Sequence, residues 1–348
     1  MVDVHIPVSS RKKPGFHGEA IEFRGRPASR ARINYVGAAL QEVVLEGVSI
    51  IEGSRSDYEQ VNPQLAGWFN SFLLYPNRTE GGRSSAAPGL QLPLNEEMVD
   101  GRRNNLHGVP GAYMEVWSPE THHTYDANSY VRFTTEVNNK NAGEGTIFPY
   151  SLNLSVTYRF GEDGRLKIRV TATNVGHDNA PFAAGFHTYL ALRDGRGRLK
   201  PVDDLELKLP GRKVVVTDKG MIPTGAIERV ERFENGRYDF GQRRPIEDTQ
   251  FDHGFTCMEF DGDGWATTEI YDPKTKVTVL YRQDRSFPYG QIFSGEALPD
   301  EGRHRRVLAV EPMSGSANAL NRGKEGGLLW LQPGQIWQGN LELMVKRG

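Results

Sequence analysis

The reading of one segment, LSVTYRFGEDGRLKIRVTATNV (Leu154 to Val175), decides the class of fold. Leu154, Val156, Tyr158 and Phe160 alternate with Ser155, Thr157 and Arg159. Past Gly161 to Gly164, Leu166, Ile168, Val170 and Ala172 alternate with Lys167, Arg169, Thr171 and Thr173. Apolar residues two apart share one face of a strand, whereas a helix would need a period of 3.6. Two such runs around a short glycine-bounded turn predict a β-hairpin with one buried face.

The same period recurs in TKVTVLYR (275–282) and NLELMVKR (340–347), and less regularly in HTYDANSYVRFTTEV (123–137) and AIEFRGR (20–26). The 39 glycines and 20 prolines are spread along the chain, which implies many short elements joined by tight turns. Helical signals are confined to LPDEGR (298–303), read as a single turn, and VNPQLAGWFNSF (61–72), read as a short irregular segment. There is no internal repeat, low-complexity tract or dividing linker. About twenty or more short strands without a boundary predict an all-β protein, one large antiparallel β-sandwich spanning residues 20–348. Residues 1–19, polar and broken by Pro7 and Pro14, read as a loosely held segment before it.

Composition narrows the partners. A net charge of −2 with 25% charged residues argues against a general nucleic-acid binder. One cysteine, Cys257, rules out a disulfide framework and suits a reducing cytoplasm. The first residues lack the apolar core of a signal peptide, and no run of about 18 apolar residues predicts a membrane span. A soluble cytoplasmic protein is expected, with monomer and homodimer both compatible with the sequence.

Polar residues that interrupt strand-like runs are the candidates for chemistry. His187, with Tyr189 two residues on, lies within PFAAGFHTYLAL (181–192), a segment otherwise suited to burial. His107 lies in GRRNNLHGVPGAY (101–113), and Asn77 and Arg78 follow the apolar run of FLLYPNRTEGGR (72–83). Asp252 sits in EDTQFDHGF (247–255). Glu311 ends the apolar run 307–310 and precedes Pro312, which forces extended backbone on it. Each alone has a structural explanation: a core histidine bonded to backbone, a loop histidine held by turn chemistry, a carboxylate in a salt bridge. A buried acid is nonetheless costly unless it is paired or used. His122, His123 and Asp126 are close in sequence, but adjacent strand residues face opposite ways, so no metal is expected there or elsewhere. Glycine-rich phosphate loops and nucleophile elbows are absent, so no cofactor is expected. The basic run RHRR (303–306) could steer an anionic ligand group, although such runs are usually solvated.

Taken in order, these segments resemble the aldose 1-epimerase (galactose mutarotase) family over roughly residues 20–346. INYVGAALQEVVLEGVSII (33–51) is similar to the family's opening, LLYPNRTEGGR to its Asn-Arg segment, and NNLHG to its Asn-x-x-His-Gly element. GFHTYLAL resembles Gly-x-His-Pro-Tyr-Phe with Thr188 where proline is usual, and DTQFDHGF and LAVEPMSGSANALNRG resemble the remaining two elements. The resemblance implies a cofactor-independent isomerase that interconverts the α and β anomers of a monosaccharide. It implies Glu311 as base on the anomeric hydroxyl, His187 as proton donor to the ring oxygen, and His107 close to that oxygen. Arg78 and Asp252 would bind hydroxyls, with Asn77 and Tyr189 as further pocket residues. A carboxylate and an imidazolium on opposite sides of the sugar could perform both transfers. Since a free histidine near pKa 6.5 is mostly neutral at pH 7, a nearby carboxylate is expected to hold His187 as imidazolium. A non-catalytic sugar binder on the same fold and a mutarotase for phospho- or sulfo-sugars are the alternatives.

Overall fold

The computed structural model describes residues 3–5, 20–24, 28–54, 59, 70–122 and 130–348. Strands make up 47% of it and helix 8%, which bears out the all-β expectation. Among the described residues every strand pairing is antiparallel. A nine-stranded sheet runs in the order Ser118–His122, Tyr130–Val137, Leu152–Phe160, Leu166–Asn174, Ile336–Arg347, Val277–Asp284, Trp265–Asp272, Glu206–Lys208 and Arg244–Pro245. The hairpin expected at 154–172 forms its third and fourth strands, with Leu154 opposite Ala172, Val156 opposite Val170 and Phe160 opposite Leu166. All eight of its alternating apolar residues are buried.

A second sheet carries the chemistry. Its order is Pro223–Arg229, Gly211–Thr217, Asp252–Met258, Tyr289–Phe293, Leu308–Met313, Ala184–Phe186 and Phe72–Leu74, with Thr188–Leu190 also pairing Leu308–Met313. Inward residues of both sheets, among them Phe133, Val156, Ile168, Phe255, Ile292 and Val310, belong to one hydrophobic cluster. At roughly 25 cal/mol per Å² of apolar surface removed from water, such a cluster is the main force holding the sheets together. A buried hydrogen bond of 2.9 Å between the hydroxyls of Thr188 and Tyr281 also joins them. Thr188 thereby satisfies a buried phenol that proline could not reach.

A small sheet of Arg78–Glu80, Arg103–Leu106 and Glu96–Glu97 flanks the second sheet. The turn foreseen near Asp300 is a 3₁₀ turn at Glu301–Arg303, capped by Asp300, whose carboxylate accepts from the Gly302 amide at 2.9 Å. Of residues 1–19 only Asp3–His5 is described, a strand paired with Ala20–Arg24. The segment read as irregular at 61–72 lies almost wholly outside the described residues, as do His123 and Asp126 of the histidine-rich stretch.

Candidate active site

His187 occupies the single position between the strands Ala184–Phe186 and Thr188–Leu190. Its amide donates to the Ser71 carbonyl at 3.0 Å, and its carbonyl accepts from the Asn70 amide at 2.8 Å. Both backbone groups are thereby satisfied, and the ring projects from a rigid sheet rather than a loop. Glu311 lies on Leu308–Met313, which pairs with both Thr188–Leu190 and Tyr289–Phe293. His187 Nε2 stands 3.3 Å from Glu311 Oε1, and both side chains are only 3% exposed. Among the described residues, Glu311 Oε2 is buried without a hydrogen-bond partner.

The turn after Arg103–Leu106 supplies His107. Its amide donates to the Asn77 carbonyl at 2.8 Å, and both His107 and Asn77 hold positive φ, 64° and 62°. Such conformations cost a non-glycine residue on the order of 1–3 kcal/mol and persist only where neighbours over-determine them. Asn105 supplies that constraint: its side chain accepts from the Gly108 amide and donates to the Pro93 and Gly108 carbonyls. The His107 ring meets the His187 ring edge-on at 4.8 Å, and Tyr189 stacks on His187 at 4.7 Å.

Arg78 forms a two-pronged bond with Glu96, Nε and Nη2 each donating at 2.8 Å, and its Nη2 lies 3.6 Å from Asp252. Asp252 also accepts from the Gln291 side-chain amide at 2.6 Å. All seven residues singled out in the sequence line one cleft of about 200 Å³. That volume is below the ~300 Å³ typical of drug-sized ligands and suits one small molecule. Larger clefts of about 1170 and 610 Å³ elsewhere contain none of the seven. Sequence reading passed over Glu96, and Phe293, Leu298 and Pro299 of the cleft wall. Glu96 carried a signal, since LPLNEE precedes the His107 turn, but nothing in its spacing pointed to Arg78.

Two expectations are corrected here. His187 and Glu311 are in contact, so in this arrangement a sugar meets them from one side rather than lying between them. Nor does a carboxylate hold His187 as imidazolium: burial pushes its pKa down to about 3. Burial, reinforced by Asp252 and opposed by Arg78, pushes Glu311 up to about 8. His107 is likewise lowered, by burial first and then by His187 and Arg78. The resting pair is therefore neutral, with the shared proton on Glu311. The RHRR run is also spent elsewhere. Arg303 is buried against Glu52, Glu59 and the Gly53 carbonyl, and Arg305 is bonded to Asp203, Glu296 and the Thr249 and Glu247 carbonyls. Arg306 donates to the Leu199 carbonyl, and His304 bonds the Leu298 carbonyl.

His107, His187 and Glu311 each offer a donor atom within 4.8 Å of the others, so these three could hold a metal ion among the described residues. The donor set otherwise suits proton transfer: a carboxylic acid and an imidazole in hydrogen-bond reach, beside a guanidinium that can bind hydroxyls.

The family model for aldose 1-epimerase matches residues 19–344. The chain is 28% identical over 306 residues to the uncharacterized protein YihR of Escherichia coli K12, covering 88% of this chain and 86% of that one. It is 31% identical over 219 residues to the maltose epimerase of Levilactobacillus brevis, covering 61% and 58%. Among solved structures it superposes on a galactose mutarotase-like protein of Clostridium acetobutylicum with a TM-score of 0.77 and 18% identity, covering 100% and 99%. The galactose 1-epimerase of Lactobacillus acidophilus gives 0.76 at 18% identity, again covering 100% and 99%. With the model spanning nearly the whole length, the chain belongs to the aldose 1-epimerase family.

Proposed function

We propose that this protein interconverts the α and β anomers of an aldose by acid–base ring opening and closure, with Glu311 and His187 as the reacting pair. The observation that carries this reading is the buried 3.3 Å contact between an acid and an imidazole in the same small cleft as Arg78 and Asp252. Binding alone would not call for a dry acid–base couple, because burying both groups costs stability that a sugar-gripping site has no need to spend.

Ring opening moves two protons. The anomeric hydroxyl gives its proton to a base as the O1–C1 bond becomes a carbonyl, and the C1–O5 electron pair leaves with the ring oxygen, which takes up a proton. Transfer of the shared proton from Glu311 to His187 creates the carboxylate that accepts from O1 and the imidazolium that donates to O5. After rotation about C1–C2 the two transfers reverse on the other face of the carbonyl. Arg78 and Asp252 bind hydroxyls away from the reacting centre, and His107 supports the ring oxygen. Each positioned group contributes on the order of 10² to 10⁴ in rate.

Polarimetry on freshly dissolved D-glucose, D-galactose, D-xylose and maltose, with the enzyme dialysed against EDTA, tests the reading. Accelerated relaxation of at least one sugar is expected. Sugar binding without acceleration would make the protein a binder. Activity lost in EDTA and restored by a divalent ion would assign His107, His187 and Glu311 to a metal.

A further inference from the structure

We propose that Glu96 is a positioning residue that aims the Arg78 guanidinium into the cleft, an inference that rests on the reading of the cleft as an aldose site. The two oxygens of Glu96 take Nε and Nη2 of Arg78 at 2.8 Å each, a planar fork-to-fork pairing that fixes the guanidinium plane as well as its place. Both side chains are largely buried, at 11% and 17% exposure, so solvent screens the pairing little. So held, its Nη2 also faces Asp252 at 3.6 Å, and the two residues line the cleft together.

The local fold holds Glu96 for this task. Glu96–Glu97 is a strand of only two residues, with Glu96 opposite Asn104 on Arg103–Leu106. That strand in turn places Leu106 opposite Arg78. The neighbouring Asn95 closes the unit: its side chain accepts from the Leu106 amide at 2.6 Å and donates to the Leu106 carbonyl at 3.0 Å. The consecutive pair Asn95–Glu96 thus braces the turn carrying His107 on one side and the arginine on the other. Without the Glu96 charge, Arg78 would lose its two-pronged partner, and its guanidinium would be free to swing toward the more distant Asp252.

The test compares wild type, Glu96→Gln, Glu96→Asp, Arg78→Ala and the double variant Arg78→Ala/Glu96→Gln. Dissociation constants for D-galactose and D-glucose come from NMR titration, and kcat and KM from polarimetry. Glu96→Gln is expected to raise Kd and KM about tenfold while kcat falls less than about threefold, since the arginine grips substrate and transition state alike. Glu96→Asp, which restores the charge on a shorter arm, is expected to recover part of the loss. In the Arg78→Ala background Glu96→Gln is expected to change neither constant, because its effect passes through the arginine. Unchanged Kd and KM in Glu96→Gln, or an equal penalty with and without Arg78, would overturn the inference. If Glu96→Gln does not fold, Glu96→Asp measured with and without Arg78 decides by the same criterion. The reading beneath it fails separately: aldose binding without turnover sinks the epimerase activity and leaves the Glu96 comparison readable in Kd. Wild-type protein that binds neither sugar overturns both.

Discussion

Glu311 and His187 are 3.3 Å apart with both side chains buried, and each carries the protonation state opposite to the one its proposed role demands. Burial pushes Glu311 up to about 8 and His187 down to about 3, so between those values the pair holds one proton, resting on the acid. The reactive carboxylate–imidazolium form has the same proton count and is reached by moving that proton across one hydrogen bond. A pH–rate profile counts protons rather than tautomers, so the two limbs belong to the pair. The kcat/KM profile is therefore expected to be bell-shaped, falling on the acid side toward about pH 3 and on the alkaline side near pH 8. A profile whose alkaline limb lies below pH 7 would contradict the burial argument. Glu311→Gln keeps the shape of the side chain but cannot accept a proton, so its kcat is expected to fall about 10²- to 10⁴-fold with KM little changed. His187→Asn should match it, and the double variant should fall little further, because the pair acts as a unit.

At the scale of elements, the site depends on how tightly chain segments pass one another. Gly108 follows His107 with φ of 74°, and a Cβ there would stand 1.7 Å from the Leu74 carbonyl oxygen. Leu74 ends the strand Phe72–Leu74 that leads into Asn77 and Arg78, so this close approach is what brings the His107 turn against the arginine strand. Gly108→Ala is expected to destabilise by more than the ~1 kcal/mol of backbone strain alone and to lower kcat together with the thermal midpoint. A wild-type melting curve and rate for this variant would show that the approach is dispensable. This is also where the sequence stops being legible. The hairpin at 154–172 could be read outright because one face of each strand is buried and the alternation is clean. The seven candidate residues drew notice because each breaks an apolar run or sits beside a turn signal, and the structure gathers them along one cleft. Glu96 could not, because its partner Arg78 is reached through the register of a two-residue strand that no periodicity announces. The charge states of His187 and Glu311 were equally hidden, since desolvation depends on how completely two sheets close over the pair.

For the molecule as a whole, placing an acid–base couple inside the sandwich ties stability to pH with a sign that can be worked out. Glu311 rises from 4.5 to about 8 on folding and His187 falls from 6.5 to about 3. Between pH 4.5 and 6.5 the unfolded chain holds one proton, on the histidine, and the folded chain holds one, on the glutamate. The couple then gives stability no slope with pH. Above 6.5 the unfolded pair holds none while the folded pair keeps its proton until about pH 8, so stability falls as pH rises through that window. Below 4.5 the unfolded pair holds two and the folded pair one, so stability falls as pH drops. Each unit of pH corresponds to about 1.4 kcal/mol for one proton, which makes the loss between pH 6.5 and 8 on the order of 2 kcal/mol. Glu311→Gln removes the group responsible for the alkaline loss and leaves the rest of the molecule's titration in place. Its melting temperature relative to wild type is therefore expected to improve between pH 6.5 and pH 8.5, by a few degrees, while its activity is lost. Thermal melts of both proteins at the two pH values measure this directly. A difference in melting temperature that stays constant across the interval would mean that Glu311 is already ionised in the folded protein at neutral pH, and the neutral resting pair would have to be abandoned.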